Sequence, residues 1–191
     1  MNKFNDFLLA VEDGEQVTAT IAHWHEPAPQ KGGFSIPACS YGVSLVVGGQ
    51  FVRQIWGAGY APEPIPAISH ALGRVLEIVP ETSPLEVEAM ADFGLYWGPD
   101  GYVANRLSGR TLAGRNLALW PLMQKLQAAH RVGRWRFMPL PKKATDRWSL
   151  LKAKETDLLV ARPAALKHKA EHNPTPDTYP RGIAFLQGGT A

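Results

Sequence analysis

The apolar pattern changes period once between residues 17 and 79, and this limits the folds open to the chain. Val17-Thr18-Ala19-Thr20-Ile21-Ala22-His23-Trp24 alternates β-branched and small side chains, the period of a strand. Residues 40–47 and 50–57 read the same way and are split by Gly48-Gly49, a two-residue hairpin turn. Ile68, Ala71, Leu72, Val75, Leu76 and Val79 then recur at three and four residues, which predicts a helix over 65–79 with one buried face. Between the first two strands, Glu26-Pro27-Ala28-Pro29-Gln30-Lys31-Gly32-Gly33 is a loop punctuated by proline and glycine.

Beyond residue 79 the pattern alternates between the two periods. A strand is predicted over 91–97 and a short helix over 99–107, with Pro99 suited to its first turn. A longer helix covers 117–132, where Pro121 must lie near the start or kink it. A strand follows over 134–140, then a helix over 145–161, capped by Thr145 or Asp146 and stopped by Pro163. Three strands followed by alternating helices and strands imply an α/β fold, a mixed sheet with helices on its faces. The expected organisation is a lead-in over 1–15, one domain over 16–163 and a tail over 164–191, basic and then rich in Pro and Gly.

Hydrophobic residues make up 45% of the chain, enough for a packed core. No apolar run is long enough to span a bilayer, and residues 1–6 lack the basic start and cleavage site of a signal peptide. A single cysteine, Cys39, cannot form an internal disulfide, so a reducing cytoplasm is expected and the residue reads as a small core or loop side chain. The net charge of +3 conceals a division. Residues 1–100 hold 4 Lys/Arg against 12 Asp/Glu, and residues 101–170 hold 15 against 3. Such segregation fits a surface that meets nucleic acid. It equally fits a basic half that pairs with the acidic half inside one domain.

Local words refine the fold. Ser40-Tyr41-Gly42-Val43-Ser44-Leu45 followed by Gly57-Ala58-Gly59-Tyr60, and Tyr96-Trp97-Gly98-Pro99-Asp100-Gly101-Tyr102-Val103-Ala104-Asn105, come first. Arg115-Asn116-Leu117-Ala118-Leu119-Trp120, Trp135-Arg136-Phe137-Met138-Pro139-Leu140 and Glu155-Thr156-Asp157-Leu158-Leu159-Val160-Ala161 follow. In this order they resemble the "YG…AGY" strands, the "YTDSQYVVN" junction, the "KNxDLW" helix start, the "VEFVWVKGH" strand and the "ADELA" helix of type 1 ribonuclease H. The resemblance covers residues 17 to 163 and implies a ribonuclease H-like mixed sheet of five strands, three antiparallel and then parallel, flanked by helices.

That family cleaves the RNA of RNA–DNA hybrids with two magnesium or manganese ions held by four carboxylates, since close hard cations need several negative oxygens. Here the first-strand position falls at Ala22, His23 or His25, and the first-helix position at His70, or at Glu77 in another register. The fourth-strand position falls at Gly98 or Pro99, with Asp100 one or two places late; Asp157 alone stands where the family has an acid. The resemblance thus implies a degenerate site, with Asp157 and Asp100 as the candidate catalytic acids. Each also reads as an ordinary helix-surface or helix-dipole carboxylate. His23 and His25 share a strand face, and with His70 and Asp157 they are candidate ligands for zinc.

The expected nucleic-acid contacts are Arg106, Arg110, Arg115, Asn116, Arg134, Arg136, Lys142, Lys143 and Arg147, since guanidinium and ammonium groups grip phosphate. Trp97, Trp135 and Trp148 could stack on bases or fill the core. His130, His168 and His172 lie in basic or tail segments and are expected to be solvated. The primary expectation is therefore a binding module for hybrid or duplex that has lost nuclease chemistry. A divergent metal-dependent nuclease and a scaffold for an acidic protein are the alternatives.

Overall fold

In the computed structural model the chain is described over residue 9 and residues 11–27, 36–61, 65–89, 120–139, 161–173 and 186–190. Strand β1 (Val17–His25) pairs antiparallel with β2 (Ala38–Val47), which pairs antiparallel with β3 (Gln50–Tyr60). Helix α1 (Ile65–Ile78) crosses back, so that β4 (Leu85–Ala89) lies parallel to β1 on its other side. Helix α2 (Trp120–Arg131) leads to β5 (Trp135–Pro139), parallel to β4. A third helix, α3, runs over 161–172, and β6 (Leu186–Thr190) adds antiparallel to β3. The spatial order is β5-β4-β1-β2-β3-β6.

The first five strands form the mixed α/β sheet that the sequence implies, three antiparallel strands followed by parallel ones. Both glycines of the β2–β3 turn have positive φ, 56° at Gly48 and 80° at Gly49, as a tight hairpin requires. All six periodic apolar residues from Ile68 to Val79 are buried. They pack with Val17, Ala19 and Ile21 of β1, with Tyr41, Val43 and Leu45 of β2, and with Leu126 of α2. Pro121 is the second residue of α2, where its missing N–H has no intrahelical partner. The opposite face of the sheet carries a smaller cluster in which Ala164 and Ala165 of α3 meet Trp24, Ala38, Trp56 and Ala58.

Three elements differ from the sequence reading. The fourth strand is Leu85–Ala89, while residues 91–97 lie outside the described residues, as do those of the expected helix over 99–107. Leu85, Val87 and Ala89 are buried, and the intervening acids find partners inside the sheet: Glu86 pairs with Arg136, and Glu88 accepts a 2.9 Å hydrogen bond from Thr20. Pro163 does not end the last helix, which runs to residue 172. A proline removes one N–H, and the N–H groups that follow it are intact. The segment read as a tail thus supplies a helix and an edge strand. Gly188 of β6 lies under the Trp56 ring, where a Cβ would come within 2.3 Å of a ring atom. Among the described residues no helix is long and apolar enough to cross a membrane.

Gly57 makes the same kind of approach inside the sheet: a Cβ there would lie 2.3 Å from the buried Tyr41 ring. Gly57→Ala is therefore expected to lower stability by about 1–3 kcal/mol through overpacking. Urea unfolding reads this directly; an unchanged midpoint would mean that the Tyr41 ring moves at no cost.

Candidate functional site

Ligands of open α/β sheets gather outside the carboxyl ends of the parallel strands. At that end of β1 the backbone carries His23, Trp24 and His25 and then Glu26. His25 donates from Nε2 to the Ala61 carbonyl at 3.0 Å, which ties the end of β1 to the end of β3. Glu26 Oε2 accepts from the Ala38 N–H at 2.8 Å and from Lys169 Nζ at 2.5 Å. Burial acts to raise its pKa, but the bonds from Lys169 and Ala38 outweigh it, and the carboxyl titrates below its ordinary value.

Lys169 belongs to α3, which brings an aromatic and imidazole group to the same end of the sheet. Tyr60, the last residue of β3, stacks on His168 with ring centres 5.4 Å apart, and His172 lies 4.1 Å from His168 by the same measure. His168 is 3% exposed, so it is not solvated as its position in the sequence suggests. His130 likewise packs its ring 4.6 Å from Trp135.

His168, Glu171 and His172 each offer a ligand atom within 4.8 Å of the others, and they are the only such group of three among the described residues. His23, His25 and His70 therefore form no three-ligand group there. Their expected fourth member, Asp157, lies outside the described residues, as does Asp100. His70 is instead held on α1, where burial drives its pKa down to about 4 against a smaller opposing influence of Glu77. At the described positions that the resemblance would assign to acids stand Ala22, His23, His25 and either His70 or, in the other register, Glu77, a carboxylate that lies 2.8 Å from Arg74 and 3.9 Å from Lys125. At most one carboxylate, already paired with cations, is too few for two magnesium ions at these described positions.

Of the expected nucleic-acid contacts, Arg134 and Arg136 lie within the described residues, and they do not act together. Arg134 donates from Nη2 to the carbonyls of Leu76 (2.6 Å) and Val79 (3.1 Å) and lies 3.5 Å from Glu81. It caps the C-terminal end of α1, where cations are favoured and carbonyls lack partners. Arg136 pairs with Glu86 across the β4–β5 ladder. Lys125 lies 3.9 Å from Glu77, and Lys169 binds Glu26. These four pairs join the basic half of the chain to the acidic half, so pairing within the domain accounts for part of the charge division. Trp135, 2% exposed, is a core residue, as is Cys39, whose thiol pKa burial raises. Arg106, Arg110, Arg115, Asn116, Lys142, Lys143, Arg147, Trp97 and Trp148 lie outside the described residues.

A groove between the α1–β4 connection and the α2–β5 turn is lined by Thr82, Ser83, Lys125, Gly133 and Arg134. It lies at the amino ends of β4 and β5, away from the histidine group. No model of a known protein family matches the chain, and no curated protein matches it in sequence.

Two outcomes follow from these placements. Arg134→Ala is expected to cost about 2 kcal/mol of stability, because charge-assisted hydrogen bonds to helix-end carbonyls are lost. The loss is measured by urea unfolding, and a variant as stable as the parent would remove Arg134 from its capping role. His70 has a folded pKa of about 4, below the unfolded value near 6.5. The unfolded chain thus binds the proton first, and stability is complete above about pH 6.5 and falls toward pH 4, by on the order of 3 kcal/mol. In His70→Gln this part of the acid slope is expected to disappear; an identical slope would assign it to other groups.

Proposed function

We propose that this protein is a nucleic-acid-binding domain built on a ribonuclease H-like sheet, without ordinary two-metal nuclease activity. One observation carries the reading: β1 ends in Ala22, His23, Trp24 and His25, with no carboxylate where the resemblance implies the first metal-binding acid. Ala22 is 5% exposed and Ile21 is 1% exposed, so this part of the strand is packed. Affinity then comes from positive charge, which needs no metal.

With Arg134 engaged at the end of α1, the proposed footprint rests on Arg106, Arg110, Arg115 and Asn116 and on Lys142, Lys143 and Arg147, with Arg136 as a further contact. Any divalent ion, magnesium or manganese, is assigned to the alternative of a divergent nuclease using Asp157 and Asp100. An RNA–DNA hybrid or a duplex is the proposed partner, and a reducing cytoplasm suits the single buried thiol of Cys39.

The test is a labelled RNA–DNA hybrid incubated with the protein, with and without magnesium, manganese or zinc, scored for retention and cleavage together. Retention without cleavage, weakened by salt, is expected. Replacing Arg106, Arg110 and Arg115 by alanine should reduce the salt slope of binding by about 2 to 3. Metal-dependent cleavage abolished by Asp157→Asn would overturn the non-catalytic reading. Indifference to hybrid and duplex would leave a scaffold for an acidic protein as the better account.

A further inference from the structure

We infer that α3 carries a binding site for a single zinc-type ion, formed by His168, Glu171 and His172. Its three ligands are none of the residues that the ribonuclease H resemblance assigns to acids, and it does not depend on nucleic-acid binding. Spacing supplies the first reason. Residues three and four apart share a helical face, so His168 presents its ring beside both Glu171 and His172. Two imidazoles and one carboxylate are the three protein ligands of an open zinc site, with a fourth position left for water or another donor. The nitrogen-rich set selects a transition metal over magnesium.

Geometry supplies the second reason. A tetrahedral ion with bonds of about 2.0–2.1 Å holds its ligand atoms roughly 3.3 Å apart. The three ligand atoms already lie within 4.8 Å of one another, and Glu171 is exposed and able to close the remainder by rotation. Glu171 is 3.7 Å from Lys167, an exposed pair of little worth that a divalent ion would displace.

The surroundings supply the third. A ligating histidine characteristically donates its other ring N–H to a carbonyl or carboxylate, which fixes the ring and its tautomer. The Nδ1 of His172 lies 2.9 Å from the His168 carbonyl, so it can donate there and leave Nε2 with the lone pair. His168 is held by the stacked Tyr60 ring, and Tyr60 lies 6.2 Å from His172, giving the group an aromatic wall on the sheet side. One ligand is therefore anchored, the second is oriented by its own helix, and the third is free to rotate.

The experiment titrates tag-free, full-length protein with Co²⁺ and follows visible d–d absorption, with Zn²⁺ added at the end as competitor. One equivalent of cobalt is expected to give the absorption of a low-coordinate site, and zinc should bleach it. His172→Gln and Glu171→Gln alter exposed side chains, so the fold should persist, which far-UV circular dichroism checks. Each should weaken cobalt binding by at least about tenfold, the loss typical of even an outer-shell partner. His23→Gln should leave it unchanged. No spectrum up to millimolar cobalt would overturn the assignment. So would a spectrum that survives both α3 substitutions or one that vanishes in His23→Gln.

Discussion

Strand β1 is hydrogen-bonded along both edges, antiparallel to β2 from Val17↔Val47 to His25↔Cys39 and parallel to β4 from Val17↔Leu85 to Ile21↔Ala89. Its two faces are covered as well, one by the main core and one by the smaller cluster under α3. Val17, Ala19 and Ile21 share the core with residues of α1 and with Leu126 of α2, and Trp24 packs with Ala164 and Ala165 of α3. Every other element takes its place from this strand: the meander extends from one edge, and the parallel crossovers extend from the other. The histidine group on α3 stands beside the end of β3 because α3 packs across the β1–β3 half of the sheet.

The parts of this architecture legible in the sequence are those that a single local pattern decides. Gly48-Gly49 between two β-branched runs allows little other than a hairpin, and the six apolar residues of α1 describe one stripe whatever they pack against. Strand β4 was not legible because Leu85-Glu86-Val87-Glu88-Ala89 places two acids in a short segment directly after Pro84. Those acids are half-buried and meet Arg136 and Thr20, neither of which is near in sequence. The aromatic run at 91–97, outside the described residues, has the stronger intrinsic preference for a strand. Strand β6 contains Gly188-Gly189, the composition of a turn; the waiting edge of β3 and the Trp56 ring over Gly188 make it a strand.

The candidate site shows the same division. The 168–172 spacing is visible in the sequence, but it becomes a shared face only if the helix continues past Pro163, and a proline read as a stop conceals it. The charge division, in contrast, was plain in the sequence, and the sequence could not say whether it looked inward or outward. The described ion pairs show that it looks at least partly inward: Lys125, Arg134, Arg136 and Lys169 all meet acids from the first half of the chain. These four basic residues act as cement between the two halves of the chain.

The pairing of β6 with β3 joins residues 54–58 to residues 186–190, the most distant partners in the sheet by chain separation. During synthesis the three strands β1–β3 can pair early, while the strand that closes the outer edge of β3 is made after every other described strand. At roughly 5–20 residues per second, that edge stays open for on the order of ten seconds after β3 is complete. An unpaired edge invites pairing with another chain. The interval is thus a window of vulnerability in the life of each molecule, and arrival of the C-terminal segment closes it.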